Sequence, residues 1–237
     1  MPKAAAGRTV PVIVLIHGGF WRAPYTKLFM HRLARAVVAN GWAAWNIEYR
    51  RVGRFGGGGG WPATFADVAS AIDALEGRPG LDLDRVATCG HSAGGLLALW
   101  LASRPRLGAD TPGGPVRVPV DLAVSLAGVV NLRRAFELGG ERGAVARLLG
   151  GTPDSVPARY ACASPLDHLP LGVPQVLIHG TGDETLAATM SEDYARAASA
   201  AGDDAVYVAV PGASHRDMLR DPGCQAAVEQ LARRYPA

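Results

Sequence analysis

Short apolar runs rich in β-branched residues alternate with Ala-, Leu- and Arg-rich stretches along most of this chain. Most of the runs are apolar at every position, which is typical of strands that helices cover on both faces. The alternation predicts an α/β architecture, a largely parallel sheet with crossover helices. The candidate strands are Val10–Ile16, 43–48, 85–89, Leu122–Leu126, 175–178 and Ala205–Val210.

The stretches between these runs have the apolar spacing of helices. The candidate helices are 26–40, 65–76, Ala93–Ser103, 189–201 and 221–235. The first ends at Asn40-Gly41, a common helix stop. The last follows Asp221-Pro222, where we expect Asp221 to cap the helix and Pro222 to take its first position.

Two segments interrupt this regular pattern. Residues 54–60 include five consecutive glycines, and such a sequence predicts a flexible loop because glycine loses so much backbone entropy on ordering. Residues 129–171 form a long insertion with a candidate helix at 143–149. We expect this insertion to be a lid over the C-terminal edge of the sheet, where open α/β sheets bind ligands.

The 237 residues fit one domain, residues 1–237, around a single core. The formal net charge of +3 comes without a basic run, so nothing indicates nucleic-acid binding. No apolar run reaches the ~20 residues that cross a bilayer, and no signal-peptide cleavage pattern is present, so we expect a cytoplasmic protein with no membrane partner. Cys89, Cys162 and Cys224 lack paired spacing and are expected to be buried, inert thiols.

The sequence GHSAG at residues 90–94 matches the pattern G-x-S-x-G, with a candidate strand before it and an Ala/Leu-rich candidate helix after it. This context predicts a nucleophile elbow, a sharp strand-to-helix turn that exposes the hydroxyl of Ser92. The strained backbone projects the serine from the sheet, and the helix N-terminus favours developing negative charge. Ser92 is therefore the candidate nucleophile, and a plain helix cap is the alternative.

The sequence HGGFW at residues 17–21 follows the first candidate strand. Glycine lets a chain approach a substrate closely, so the backbone N–H groups of Gly19 and Phe20, with that of Ala93, are candidates for an oxyanion hole. An ordinary glycine turn is the alternative. We expect His17 to brace this loop by hydrogen bonding.

A hydroxyl nucleophile needs a base within hydrogen-bond reach, and six histidines are available. His215 follows the last candidate strand, on a loop at the same sheet edge as Ser92, and is the candidate base. We expect His31 to lie within a helix, His91 to point away beside Ser92, and His179 to end a strand. His17 and His168 are the remaining two.

The acid that orients the base is expected between the serine and the histidine in chain order, after a strand. Asp183 meets this requirement; it would accept the imidazole N–H and stabilise the imidazolium formed during the reaction. A helix cap is the alternative role, neighbouring Glu184 is the rival acid, and Asp167 and Asp217 are weaker candidates. The histidines and carboxylates show no metal-ligand spacing, so we expect no metal and no cofactor.

With these elements in order, the sequence resembles the α/β-hydrolase superfamily over nearly its whole length. HGGFW at 17–21 and GHSAGG at 90–95 are similar to the esterase/lipase group that includes kynurenine formamidases and hormone-sensitive-lipase-like carboxylesterases. EYR at 48–50 and WPA at 61–63 are similar to the segment after the family's fourth strand. Phe20-Trp21, in place of a third glycine, leans toward the formamidase-like branch, and Trp21, Tyr49 and Trp61 are candidates for stacking on an aryl group.

The chain departs from the family at its start and after the acid. The family usually has two strands before the oxyanion loop, whereas only nine residues precede the first candidate strand here. Either the sheet has six strands, in family order 4-3-5-6-7-8, or the true start lies upstream. An uncovered sheet edge of this kind suggests a homodimer. The segment ETLA at 184–187 also lacks the family's common Val-Pro, so the backbone near Asp183 is less defined by the resemblance.

The resemblance implies a serine hydrolase that cleaves small carboxylic esters through an acyl-Ser92 intermediate. One alternative is an arylformamidase that acts on an N-formylkynurenine-type amide. Another is a hydrolase-fold protein that binds a ligand or partner without turnover, because a fold does not guarantee a function. The partner expected for either enzyme is a small-molecule ester or amide substrate.

Overall fold

The computed structural model describes residues 9–108, 111–139 and 143–235. Within these residues six strands pair in one parallel sheet. They are β1 (Val10–Ile16), β2 (Ala43–Ile47), β3 (Leu81–His91), β4 (Leu122–Leu126), β5 (Gln175–Gly180) and β6 (Ala205–Val210). The spatial order β2-β1-β3-β4-β5-β6 corresponds to the family order 4-3-5-6-7-8, so the predicted topology is confirmed.

The longest strand, β3, begins four residues earlier than its predicted start at residue 85. Val10 pairs with Leu81, and a register shift between Pro11 and Val12 then pairs Val12 with Val86. The early part of β3 alternates leucine and aspartate and is half-buried or exposed. An apolar-run criterion therefore missed it.

Eight α-helices lie in the described residues. They are α1 (His31–Ala39), α2 (Ala63–Asp73), α3 (Ala93–Ser103), α4 (Leu132–Glu137), α5 (Ala144–Leu149), α6 (Pro157–Ala163), α7 (Thr189–Ala200) and α8 (Asp221–Arg234). The first predicted helix, 26–40, was too long, because Lys27–Met30 is a 3₁₀ turn capped by the Thr26 side chain. His31 is accordingly the first residue of α1 rather than a mid-helix residue.

Of the predicted end of α1 and the predicted start of α8, only the first is confirmed. Gly41 follows α1 with a φ of 87°, so the Asn40-Gly41 stop is confirmed. At the start of α8 the prediction was wrong by one residue. Arg220 is the N-cap and Asp221 is the first helical residue, where its carboxylate pairs with Arg32 at 3.1 Å.

Helices cover both faces of the sheet, and each face has its own apolar core. On one face α2, α3 and α7 bury residues such as Phe65, Trp100 and Tyr194. On the other, α1 and α8 bury residues such as Leu33 and Leu231. The apolar runs of the sequence are explained by this two-sided burial, since β1 and β4 are buried almost throughout.

The insertion at 129–171 contains α4, α5 and α6 and a 3₁₀ turn at Pro165–His168. The candidate helix at 143–149 is confirmed as α5. The insertion packs on the face that carries α2 and α3. The indole N–H of Trp100 donates to the carbonyl of Cys162 at 3.1 Å, and the backbone N–H of Trp61 donates to the carbonyl of Leu148 at 2.6 Å. Its action as a lid stays a prediction.

The glycine segment at 54–60 is a loop, as predicted. Gly56 and Gly59 lie against the backbone of Arg51 and Arg50, where a Cβ would come within 1.8 Å and 2.2 Å of carbonyl oxygens. Close backbone packing therefore requires glycine at these two positions. The N–H of Gly59 donates to the carbonyl of Arg51 at 3.0 Å.

Three remaining expectations concern the surface and the thiols. Cys89 and Cys224 are buried as expected, whereas Cys162 is half-buried, and all three are free. β2 forms one edge of the sheet, and the homodimer expected at that edge stays a prediction. None of the helices within the described residues has the length and apolar character needed to cross a membrane.

Because all six strands are parallel, their carboxyl ends meet at one edge. The loop after β1 contains residues 17–21, the turn after β3 contains Ser92, the turn after β5 contains Asp183 and the loop after β6 contains His215. The topology thus brings together segments that are far apart in the chain.

Candidate active site

Ser92 occupies a strained turn between β3 and α3. Its φ of 54° and ψ of −118° are rare for a residue with a side chain, and such strain occurs often at functional positions. A Cβ on Gly90 would lie 2.0 Å from the carbonyl oxygen of Gly94, and one on Gly94 would lie 2.2 Å from that of Ile16. The turn therefore requires both glycines, and the predicted elbow geometry is present.

The loop at residues 18–21 runs directly beside the elbow. A Cβ on Gly18 would lie 3.0 Å from the Cβ of Ser92. Gly19, Phe20 and Trp21 have positive φ angles of 105°, 54° and 56°. Trp21 holds this conformation through an indole N–H that donates to the carbonyl of Ala93 at 3.0 Å. The loop is thereby tied to the first turn of α3.

Three backbone donors at this junction have no acceptor among the described residues. Among the hydrogen bonds between described residues, none uses the N–H of Gly19, Phe20 or Ala93 as donor. Ala93 is the first residue of α3, so its N–H is one of the helix N-terminal groups that lack an intrahelical acceptor. These three groups have the chemistry of an oxyanion hole.

Asp183 and His215 form a direct pair. The Nδ1 of His215 lies 2.6 Å from Oδ2 of Asp183. Because a carboxylate only accepts, Nδ1 carries a proton, and in the neutral imidazole Nε2 is then the nitrogen with the free lone pair. The other oxygen, Oδ1, accepts from the N–H groups of Thr185 at 2.8 Å and Leu186 at 2.9 Å. Asp183 is thus fixed in an acceptor role.

The carboxyl group of Asp183 is ionised although its side chain is buried. Its side chain is fully buried, and burial alone would raise its pKa. Hydrogen bonds from His179, His215 and the Leu186 N–H outweigh burial, and hold the pKa of Asp183 well below its usual value. The carboxylate therefore stays ionised beside the imidazole.

Ser92 and His215 face the same cavity, which has a volume of about 640 Å³. Its lining residues are Gly18, Gly19, Phe20, Tyr25, Phe29, Arg32, His91, Ser92, Thr185, His215, Arg216, Leu219 and Arg220. No described residue of the 129–171 insertion is among them. A hydroxyl, an imidazole and unpaired N–H groups at one cavity can transfer an acyl group.

The three aromatic residues expected to bind substrate do not line this cavity. Trp21 is buried and anchored to Ala93. Tyr49 is buried, stacks on His17 at 4.3 Å and donates its hydroxyl to the carbonyl of His17 at 2.8 Å. Trp61 packs against Phe65 at 5.1 Å. The aromatic residues that do line the cavity are Phe20, Tyr25 and Phe29, and neither Tyr25 nor Phe29 belongs to a sequence motif.

His17 braces the loop, as expected. Its Nε2 lies 2.6 Å from Oε1 of Glu48, and its ring is fully buried. Burial lowers the pKa of His17, and hydrogen bonds to Gly18 and Glu48 oppose this only in part. Arg50, the last residue of the EYR segment, pairs with Asp67 at 2.8 Å. The segment that resembles the family therefore supports the site from outside the cavity.

Sequence reasoning missed His179. Its Nε2 lies 3.0 Å from Oδ2 of Asp183 and 3.1 Å from the carbonyl of Leu186, so this nitrogen carries the proton. Its Nδ1 then accepts from the hydroxyl of Ser191 at 2.8 Å. His179 and His215 thus donate to the same oxygen of Asp183. The signal available in the sequence was the four-residue spacing between His179 and Asp183.

The expectation that His91 points away was wrong. Its Nε2 donates to the carbonyl of His215 at 3.0 Å, and the two rings are 4.7 Å apart. Burial, with a smaller effect from His215, lowers the pKa of His91 to about 3. A neutral imidazole next to Ser92 in sequence therefore holds the backbone of the candidate base.

The rival residues lie elsewhere. Glu184 and Asp167 are exposed. Asp217 accepts from the hydroxyl of Ser214 at 2.7 Å in a capping box. The ring of His168 is 2.9 Å from the carbonyl of Ala161. Within the described ranges, no group of three His, Cys, Asp or Glu side chains is arranged to hold a metal ion.

Comparison with known families decides where this chain belongs. The family model described as BD-FAE matches residues 1–197. The chain belongs to the BD-FAE family. The match includes Ser92 and Asp183 and ends before β6 and His215.

Two curated relatives of this BD-FAE chain come from Mycobacterium tuberculosis. It is 28% identical to "Esterase LipC" over 229 residues, which cover 90% of this chain and 55% of that protein. It is 27% identical to "Esterase LipQ" over 222 residues, which cover 90% of this chain and 52% of that protein. The BD-FAE chain thus spans about half the length of these relatives.

A solved structure similar to the BD-FAE chain is esterase Est2 of Thermogutta terrifontis. The TM-score is 0.75 at 23% identity, over 98% of this chain and 85% of the other. Together with the family match and the strand order, this confirms an α/β-hydrolase fold of the esterase/lipase group.

Proposed function

We propose that this chain is a serine hydrolase that cleaves small carboxylic esters through an acyl-Ser92 intermediate. The observation that carries the proposal is the 2.6 Å contact between Asp183 and His215 beside the cavity that Ser92 also faces. The relatives named as esterases support the same reaction class.

The first half of the proposed reaction forms the acyl-enzyme. Nε2 of His215 accepts the proton of the Ser92 hydroxyl as Oγ attacks the ester carbonyl carbon. The N–H groups of Gly19, Phe20 and Ala93 stabilise the resulting oxyanion, at about 3 to 4 kcal/mol per donor. The carbon–oxygen bond to the alcohol then breaks, and the imidazolium returns its proton to the leaving alkoxide.

The second half releases the acid. His215 takes a proton from water, the hydroxide attacks the acyl carbon, and Ser92 leaves with the proton that the imidazolium returns. Throughout both halves Asp183 stabilises the imidazolium without taking its proton. No group beyond the chain and water is needed for these steps.

The direct test is hydrolysis of p-nitrophenyl acetate by the purified protein. We expect Ser92→Ala to lower kcat by roughly 10⁵-fold or more. Ser199→Ala is the matched control, because Ser199 lies on α7 outside the cavity. If the Ser92→Ala protein were as fast as the wild type, the proposal would be wrong.

The second candidate reaction is hydrolysis of an N-formyl aryl amide. The observation that favours it is the aromatic lining by Phe20, Tyr25 and Phe29, which suits an aryl group. N-formylkynurenine is the appropriate substrate, and strong esterase activity without any turnover of this amide would reject it. A non-catalytic binding role is the remaining alternative, and labelling of Ser92 by a fluorophosphonate probe would dismiss it.

A further inference from the structure

The charged side chains that line the cavity, histidine apart, are all of one sign. Apart from histidine, the ionisable lining residues that can carry a charge near neutral pH are Arg32, Arg216 and Arg220. No Asp or Glu is among the described residues that line it. The nearest catalytic carboxylate, Asp183, is fully buried behind His215 and does not face the cavity.

The arginines are only weakly neutralised. Arg32 pairs with Asp221 at 3.1 Å, and both side chains are largely exposed. Arg220 lies 3.5 Å from Asp217, whose other oxygen is held by Ser214. Exposed pairs of this kind contribute little, because water screens them. A substrate anion can therefore compete for these guanidinium groups.

Arg216 is the least neutralised of the three. No ion pair between described residues involves it. It follows His215 directly in the chain and lines the same cavity as the candidate base. A guanidinium presents a planar fork of donors that matches a carboxylate. The arrangement leaves a net positive charge beside the group that deprotonates Ser92.

Aromatic side chains line the cavity together with the arginines. The rings of Phe20 and Tyr25 are 6.5 Å apart, and those of Tyr25 and Phe29 are 5.4 Å apart. Phe29 is half-exposed although it is a large apolar residue. These rings can hold the uncharged body of a substrate while the arginines hold an anionic group.

We propose that the cavity selects esters that carry a carboxylate, with Arg216 as the principal recognition residue and Arg32 and Arg220 in support. The inference rests on the proposed function and adds a substrate class to it. The carboxylate is a second group of the substrate, separate from the ester that Ser92 attacks.

The test compares substrates that differ in charge but little in shape. For the leaving group, 4-acetoxybenzoate is compared with 4-acetoxybenzamide. For the acyl group, the 4-nitrophenyl half-ester of adipic acid is compared with 4-nitrophenyl hexanoate. The readout in each arm is the ratio of kcat/KM for the anionic substrate to that for the neutral one. The two arms show which side of the ester carries the recognised carboxylate.

For the wild type, we expect kcat/KM to be higher for the anionic substrate than for the neutral one in at least one arm. This ratio should fall as salt is added, because salt screens the attraction between the arginines and the substrate carboxylate. Arg216→Gln should lower that ratio about twofold to fivefold, and Arg216→Lys should restore part of it. Arg196→Gln is the control, since Arg196 is an exposed α7 residue outside the cavity.

Two results would overturn this inference while ester hydrolysis stands. One is a ratio of one or less in both arms for an enzyme that hydrolyses the neutral esters. The other is a high ratio that Arg216→Gln leaves unchanged. Failure on all four substrates, with no fluorophosphonate labelling of Ser92, would instead refute the proposed function and this inference with it.

Discussion

Two histidines occupy equivalent places in the fold, His17 directly after β1 and His179 at the end of β5. Both rings are fully buried, and both contact a carboxylate, Glu48 at 2.6 Å and Asp183 at 3.0 Å. In the first pair the carboxylate is about one-third exposed, and its second oxygen accepts from the N–H of Lys27 at 3.1 Å. In the second pair the carboxylate is fully buried and also accepts from His215.

This difference separates the bracing pair from the pair that belongs to the proposed catalytic group. Water screens Glu48, so its charge acts mainly on the loop that it holds. Asp183 is removed from water, and two imidazoles donate to one of its oxygens, so water screens its interaction with the candidate base less. The same local motif, a histidine at a strand end with a carboxylate partner, therefore serves two purposes.

Among the tests that contrast these two carboxylates, neutralising Asp183 has the largest expected effect. Asp183→Asn should lower kcat by about 10⁴-fold, because an amide favours the wrong tautomer of His215. Glu48→Gln should lower kcat by less than about tenfold, since it keeps the shape of the brace and removes a screened charge. Steady-state kinetics on p-nitrophenyl acetate measure both. Equal losses of kcat in the two variants would mean that Glu48 and Asp183 do not differ in role.

The next largest effect isolates the imidazole that sequence reasoning missed. His179→Ala removes a donor to a buried charged group, a loss of about 1.5 to 3 kcal/mol, so kcat should fall roughly tenfold to a hundredfold. His179→Gln retains an N–H at the end of its side chain and should recover part of this loss. KM should change little in either variant, because His179 does not line the cavity.

Ser191→Ala is the matched control for the same contact. It removes the hydroxyl that lies 2.8 Å from Nδ1 of His179 but leaves the imidazole in place. Its kcat should therefore lie between those of the wild type and His179→Ala. A His179→Ala enzyme with wild-type kcat would show that His215 and the N–H groups of Thr185 and Leu186 suffice to hold Asp183.

The sequence was sufficient to predict the sheet and the segments that meet at its edge. Apolar runs identify buried strands, and parallel order brings their carboxyl ends together, so Ser92, Asp183 and His215 could be placed without coordinates. The strand order is confirmed. The roles of these three residues remain proposals, supported by the contact between Asp183 and His215.

The side-chain environment could not be predicted in the same way. Trp21 and Tyr49 look like substrate-binding aromatics in sequence, yet their polar atoms are used inside the protein, on Ala93 and His17. His91 and His179 were passed over because their partners are 124 and 4 residues away, across turns whose geometry the residue pattern does not define. Orientation at a turn depends on backbone angles such as the φ of Ser92.

A smaller effect appears in the pH dependence of stability. The folded-state pKa of His91, about 3, lies below the unfolded value of 6.5. Between these values the unfolded chain binds a proton that the folded chain does not, so the free energy of unfolding falls as the pH drops below 6.5. One such group contributes at most about 1.4 kcal/mol per pH unit. Urea unfolding at pH 7, 6 and 5 measures this slope.

Substitutions at the two buried histidines whose pKa is lowered, His91 and His17, sharpen that measurement. His91→Gln should flatten the dependence between pH 7 and 5. His17→Gln should flatten it less, because Glu48 opposes the lowered pKa of His17 and no such carboxylate contacts His91 directly among the described residues. A wild-type slope in His91→Gln would assign the acid sensitivity to other groups.

The smallest expected effect tests whether Tyr49 belongs to the scaffold or to the substrate site. Tyr49→Phe removes the hydroxyl that donates to the carbonyl of His17 at 2.8 Å, and should lower the free energy of unfolding by about 1 kcal/mol. KM should stay unchanged, because Tyr49 lies outside the cavity, whereas Tyr25→Phe alters a lining residue. If Tyr49→Phe raised KM more than Tyr25→Phe did, Tyr49 would contact substrate after all. The region around His17 would then bind substrate as well as brace the loop. It would differ less from the region around His179.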